Sequence, residues 1–194
     1  RVPSQAGLGG GSSDAAAVMR GLARMWQIDL EDERVVRLAQ SLGADVAFFL
    51  HEAPSYLDGR GDVLRETFAP FSVPIVLVKP DQGVSTGACY RLLDEMATPA
   101  PQVEPMLEAL RACDVPGTLA AVANNMEPAA LQLAPAIVGV FAFLQDSGAC
   151  QAGPLLCGSG SCVCAFVGDL AVAERLSVQA REHGWWACAS TTLA

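Results

Sequence analysis

The residues best placed to do chemistry stand near the start of the chain: Gly7, Leu8, Gly9, Gly10, Gly11, Ser12, Ser13 and Asp14, followed at once by Ala15, Ala16 and Ala17. So many glycines leave a backbone that can curl and has no Cβ to hold an incoming group away. The alanines behind them favour a helix. A helix that begins there aims its unpaired N–H groups and the positive end of its dipole at the loop, an arrangement that favours an anion. The anion expected is a nucleotide phosphate.

Three familiar glycine loops do not fit. A P-loop needs Lys-Ser/Thr after its last glycine, and Ser12-Ser13-Asp14 stands there instead. The dinucleotide fingerprint would place its third glycine at Ser12, and its leading strand at a short segment broken by Pro3. A protein-kinase loop would precede a strand, whereas 15–26 reads as a helix. The plainer alternative is a flexible turn capped by Ser12 or Ser13.

Asp45 is the second candidate. It lies in Gly43-Ala44-Asp45-Val46-Ala47-Phe48-Phe49, an acid among small and apolar neighbours, where a carboxylate is costly unless it is paired or put to use. Beside a phosphate loop it would orient an attacking hydroxyl and take its proton. It fits a cap or turn after Gly43 equally well. Gly158-Ser159-Gly160-Ser161 reads as a second glycine turn closing over a substrate, or as an ordinary turn between strands. Ser85 and Thr86 suit an anion or a helix cap. Asp14 suits a magnesium ion or a first helical turn. Lys79, the only lysine, reads as a phosphate partner or a solvated strand end. Trp185 and Trp186 are expected at the edge of a sheet.

The elements that must position these groups follow from periodicity. Helices are predicted over 15–26 and 30–42, the second opened by Asp29, Glu31, Asp32 and Glu33 and closed by Gly43. A hairpin is predicted over 53–66 around Asp58-Gly59-Arg60-Gly61-Asp62. Pro70 and Pro74 bracket a domain boundary, which sets domains at 1–70 and 71–194. A buried strand over 73–78 and a helix from 85 or 86 to 96 come next, then a loop over 97–101. Helical patterns return over 103–113, 119–123 and 136–145. Strands over 155–157 and 162–167, a helix over 170–182 and a strand over 185–191 complete the chain. Hairpins interrupt the alternation of strands and helices, so the fold class is α+β.

Composition narrows the partners. With 194 residues, 52% of them hydrophobic, a substantial core is expected. The net charge of −9 argues against nucleic acid as the main partner. A phosphate ligand must then be held by backbone amides, Mg²⁺ and a few local cations. No apolar run reaches the length of a membrane span, so no membrane partner is expected. The seven cysteines are odd in number and include no Cys-x-x-Cys pair. Reduced thiols in a cytoplasmic protein fit better than a disulfide framework or a zinc site, with Cys162 and Cys164 on one face of a strand.

Together these segments resemble the GHMP small-molecule kinases. Gly7 to Ala16 after Pro3 is similar to the family's ATP-phosphate motif, its triple glycine typical of the members acting on a cytidyl-diphospho sugar alcohol. Leu42-Gly43-Ala44-Asp45-Val46 resembles the segment with the catalytic aspartate. Val84-Ser85-Thr86 with Tyr90 and Asp94 resembles a stretch after the domain crossover, and Cys157 to Cys162 the third, glycine-rich motif.

The resemblance implies a two-domain fold: an incomplete part like domain 2 of ribosomal protein S5, holding the ATP site, and a ferredoxin-like C-terminal domain. It implies ATP and Mg²⁺, with transfer of the γ-phosphoryl group to the 2-hydroxyl of the sugar alcohol in isoprenoid precursor synthesis. Gly7, Leu8, Gly9, Gly10, Gly11, Ser12 and Ser13 would cradle the phosphates, Ser12 would be a magnesium ligand, and Asp45 would deprotonate the alcohol. Ser85, Thr86, Gly158, Ser159 and Gly160 would shape the acceptor side. A homodimer is compatible with the family. The family's first motif, the lysine that accompanies the catalytic aspartate and the residues that grip the cytosine have no counterpart here. The 194 residues alone are therefore expected to be inactive, or to need the missing part from another chain. The alternatives are a nucleotide-binding remnant without catalysis and a family member acting on mevalonate-type alcohols or homoserine.

Overall fold

The computed structural model describes residues 2–51 and 53–192. Its contacts divide the chain into two compact units, residues 9–70 and residues 1–8 with 71–194. Among the described residues no helix is long and apolar enough to cross a membrane.

The 9–70 unit contains α1 (Gly10–Trp26), α2 (Glu33–Leu42), α3 (Ala44–Phe48), β1 (Ser55–Asp58) and β2 (Val63–Thr67). Helix α1 starts five residues earlier than its alanines predict, because the glycines themselves form its first turn: the Ser13 N–H donates to the Gly9 carbonyl at 2.9 Å. Its far end stops at Gln27, whose left-handed backbone lets its N–H reach the carbonyls of Ala23 and Arg24. Asp32 caps α2 by accepting from the Arg34 N–H at 2.8 Å. Hydrogen bonds from the Arg34 side chain and then its backbone lower the Asp32 carboxyl to a pKa of about 2.

Helix α3 escapes sequence reading because five residues are too few to show a period. Its Val46 and Ala47 pack with Ala16 of α1 and Ala39 of α2 into the small core of this unit. The expected hairpin forms, pairing Ser55 with Thr67 and Asp58 with Val63 around a bulge between Tyr56 and Leu57. On α1 and α2, Val18, Met25, Trp26, Leu38 and Leu42 remain exposed.

The other unit holds β3 (Pro74–Lys79), α4 (Thr86–Met96), α5 (Glu104–Arg111), α6 (Val115–Ala121), α7 (Glu127–Leu133), α8 (Ala136–Asp146), β4 (Leu155–Leu156), β5 (Val163–Phe166), α9 (Leu170–Glu182) and β6 (Trp186–Thr191). The strands form an antiparallel sheet in the order β4-β5-β3-β6. Helices α4 to α8 cross from β3 to β4, and α9 crosses from β5 to β6. This is the β-α-β-β-α-β order of a ferredoxin-like domain, as the resemblance implied.

Strand alternation sends Val76, Val78, Leu156, Val163, Ala165 and Ala187 to one face, where they meet Ile137, Val140 and Leu144 of α8 and Ala173, Leu176 and Ala180 of α9. Ile137, Val140 and Leu144 are fully buried, each worth about 1.5–3 kcal/mol relative to exposure. Trp185 packs at the sheet margin as expected, stacked on His183 with ring centroids 4.9 Å apart.

One reading of a single residue changes. Lys79 is buried rather than solvated, and its Nζ donates to the Pro80 carbonyl at 2.9 Å. It stands at the end of β3, an interior strand paired on both sides. Residues 5 and 6 run beside the glycine turn, where the Gln5 carbonyl accepts from the Ser161 N–H at 3.2 Å and the Ala6 carbonyl from the Cys162 N–H at 3.1 Å.

Candidate functional site

In the 9–70 unit the site is the start of α1. Gly9 caps the helix with φ 63° and supplies no side-chain cap hydrogen bond. The N–H groups of Gly9, Gly10, Gly11 and Ser12 have no carbonyl four residues back within the helix to bond to. Neither serine is the cap that the plainer reading required. Ser13 turns its Oγ back to the Gly10 carbonyl at 2.8 Å, and the Ser12 hydroxyl makes no hydrogen bond to a described residue. A Cβ at Gly11 would meet nothing within 4 Å. The open side of this first turn can therefore admit a group as large as a phosphate, which the helix dipole favours.

Gly9 is fixed for a different reason. A Cβ there would stand 2.7 Å from the Phe49 ring, in a left-handed conformation. Phe49 follows α3 directly, so α3 presses against the beginning of α1. Arg20 of α1 secures the contact by donating to the Phe49 carbonyl at 2.6 Å. Sequence reading missed Arg20, because an arginine on the fourth turn of a helix resembles any solvated one.

Asp45 sits on the first turn of α3. It is exposed, not embedded among its apolar neighbours: Val46 and Ala47 take the inward face and leave the carboxylate outward. Its backbone carbonyl accepts from the Phe49 N–H at 3.0 Å. Its side chain has no ion pair or hydrogen bond among the described residues. An unpaired carboxylate on a helix anchored to the glycine-rich turn has the chemistry of a general base.

In the other unit the 158–161 turn gathers the remaining candidates. Gly7 and Gly158 meet backbone to backbone. A Cβ at Gly7 would lie 1.8 Å from the Cys157 carbonyl oxygen, and one at Gly158 would lie 2.9 Å from the Gly7 carbonyl oxygen. Both have positive φ. Gly7 thus serves close packing, whereas Gly11 leaves space. Ser159 and Thr86 join their hydroxyls at 2.9 Å. Ser85 is the N-cap residue of α4 but makes no side-chain cap bond, and it is exposed beside Thr86. The Ser161 hydroxyl donates to the Gln82 carbonyl.

Asn124 was not read from the sequence, yet its amide donates to both the Leu156 and Gly158 carbonyls at 2.8 Å. Its Oδ1 accepts from the Met126 N–H at 2.9 Å. Asn124 sits in a short connection between α6 and α7 with nothing nearby in the chain to signal a partner more than thirty positions on.

Among the described residues no group of three or more acidic, His or Cys side chains could hold a metal ion. Mg²⁺ needs few protein ligands, since it keeps waters and binds substrate phosphates. The unpartnered Ser12 hydroxyl on the first turn of α1 fits that limited demand. Asp14 is exposed one turn into α1.

Comparison with known proteins adds the following. The family described as "GHMP kinases N terminal domain" matches residues 1–53. A 4-diphosphocytidyl-2-C-methyl-D-erythritol kinase of Exiguobacterium sibiricum is 35% identical over 176 residues, covering 91% of this chain and 61% of the relative. Its counterpart in Rhizobium johnstonii is 34% identical over 195 residues, covering 100% of this chain and 63% of the relative. The chain therefore spans somewhat over 60% of the length of these curated relatives. The crystal structure of a 4-(cytidine 5'-diphospho)-2C-methyl-D-erythritol kinase superposes with a TM-score of 0.81 at 33% identity, covering 100% of this chain and 69% of that one.

Proposed function

This chain belongs to the GHMP kinases, and from that premise we propose that it acts as a 4-diphosphocytidyl-2-C-methyl-D-erythritol kinase. The reaction is transfer of the γ-phosphoryl group of ATP to the 2-hydroxyl of 4-(cytidine 5'-diphospho)-2-C-methyl-D-erythritol, a step in non-mevalonate isoprenoid precursor synthesis. The observation that carries the reading is the first turn of α1, with four N–H groups lacking a helical partner and an open flank at Gly11.

In this mechanism the amides of Gly9 to Ser12 hold the nucleotide phosphates and offset the charge that builds during transfer. Asp45 orients the acceptor hydroxyl and accepts its proton as the oxygen attacks the γ-phosphorus. ADP leaves from the opposite side. Ser159 and Thr86, with Ser85, Gly158 and Gly160 around them, bound the acceptor. When bound, Mg²⁺ would neutralise part of the phosphate charge, and Ser12 is the residue that would hold it. Phosphoryl transfer depends mainly on positioning and electrostatics, which is what these groups supply.

A second reading is a nucleotide-binding module without transfer. It is favoured by one observation: Asp45 makes no ion pair with a described residue. A panel of acceptors separates the possibilities. The protein, isolated as its cells make it, is incubated with labelled Mg·ATP and, in turn, the cytidyl-diphospho sugar alcohol, mevalonate and homoserine, and the phosphorylated product is counted. Label in the cytidyl compound alone is expected. Label in mevalonate or homoserine instead would move the chain elsewhere in the family. ATP binding with no product from any acceptor would leave the module.

A further inference from the structure

The glycine turn is flanked by two cysteines whose placement the kinase reading does not use. The β4–β5 register pairs Leu155 with Cys164 and Leu156 with Val163, and its next step pairs Cys157 with Cys162. One bond joins them there, the Cys157 N–H donating to the Cys162 carbonyl at 2.9 Å, while the Cys162 N–H turns to the Ala6 carbonyl. Directly opposed residues share a face, with Cα atoms about 4.5–5.5 Å apart and Cβ atoms about 5 Å apart. The Cα spacing suits a disulfide, while the Cβ atoms must close by about 1 Å. The other thiols nearby suit it less. Cys162 and Cys164, two apart on one strand, have parallel Cβ vectors over 6 Å apart by strand rise.

Exposure divides the work between the pair. Cys157 is partly exposed, whereas Cys162 is fully buried. We propose that Cys157 and Cys162 form a reversible disulfide across the base of the glycine turn, with Cys157 as the attacking thiol and Cys162 as the resolving one. The oxidant is a low-molecular-weight disulfide. The Cys157 thiolate attacks one of its sulfurs, forming a mixed disulfide and releasing one small thiolate. The Cys162 sulfur then attacks the Cys157 sulfur, gives up its proton, and expels the second small thiol. Two protein thiols are oxidised and one small disulfide is reduced to two thiols.

Hydrogen bonding to the Cys157 thiol, and then burial, push the Cys162 thiol well above its usual pKa. Cys162 therefore stays protonated and inert until Cys157 is activated. The inward pull needed at the Cβ atoms makes the bond easy to reduce, which suits a switch better than a permanent staple. Closing it also shifts the Cys157 carbonyl, the group packed against Gly7, and strains the turn that carries Ser159 to Thr86.

The test treats the protein with oxidised glutathione, alkylates all remaining thiols after denaturation, and reads the masses of the peptides. The peptide spanning 157–162 is expected to be two mass units light, unalkylated at both cysteines, free of glutathione, and restored by dithiothreitol. Cys162→Ser, with Cys162→Ala as the apolar substitute for the buried site, is expected to trap glutathione on Cys157. Cys157→Ser is expected to leave Cys162 unmodified. A lasting glutathione adduct on Cys157 in the unaltered protein, or a bond to another cysteine, would overturn the proposal.

The effect on catalysis rests on the kinase reading: oxidation is expected to raise the KM for the sugar alcohol by about fivefold or more. Because the bond is read by mass, its failure is distinct from failure of that reading. A bond that forms without changing KM would count against the turn's role at the acceptor, and leave the disulfide standing.

Discussion

Gly11→Ala separates the two demands on the first turn of α1. Gly11 is helical, and a Cβ there meets no heavy atom within 4 Å. Replacing glycine by alanine within a helix stabilises by about 0.5–1 kcal/mol. For a chain of this size that raises the unfolding midpoint by about 1–4 °C. Helical Cα–Cβ bonds tilt toward the N-terminus, so the added methyl enters the space assigned to the phosphates. Loss of one amide-to-phosphate hydrogen bond costs about 1.5–3 kcal/mol, a rise in Kd of roughly 10- to 100-fold. Circular dichroism on heating gives the first quantity, and calorimetric titration with Mg·ATP gives the second. The expected result is a more stable protein that binds ATP poorly. Unchanged ATP affinity would refute the phosphate site, and a lower midpoint would refute the open flank.

Other substitutions probe the supports. Gly7→Ala places a methyl 1.8 Å from the Cys157 carbonyl oxygen at φ 71°, so it should destabilise by about 2–5 kcal/mol, read as a lower urea midpoint. Asn124→Ala removes two hydrogen bonds that hold the glycine turn and should cost about 2 kcal/mol, with faster amide exchange across 157–162. The Asp32 carboxyl is lowered from 3.8 to about 2, so its folded-state advantage is complete above the higher value and lost as pH falls through the lower one. Acid titration followed by circular dichroism should show α2 weakening across that window, and Asp32→Asn should remove the pH dependence.

The elements were most legible where their period was long or their caps were typed. Leu170–Glu182 and the Asp58–Asp62 hairpin turn came directly from the sequence. The start of α1 did not, because glycines predict a loop, and only the bond between Ser13 and Gly9 shows them to be helical. At the candidate site, residue types pointed to Gly7–Ser13, Asp45 and the 158–161 turn, but not to what each one touches. Gly7 is glycine because Cys157 crowds it, Gly9 because Phe49 does, while Gly11 stands open. Such differences depend on long-range contacts that no local pattern encodes. Arg20 and Asn124 are hidden in the same way, since their partners lie 29 and more than 30 positions away.

The central claim is that an alcohol is phosphorylated by ATP with Asp45 as the proton acceptor. Phosphorus NMR of the protein isolated as its cells make it, mixed with Mg·ATP and the cytidyl-diphospho sugar alcohol, follows ADP and a new phosphomonoester together. The account predicts that they appear in equal amounts, and that Asp45→Asn slows both by about 10²- to 10⁴-fold while calorimetric ATP binding stays within about twofold. Undiminished transfer by Asp45→Asn, or ADP released without the phosphomonoester, would contradict it.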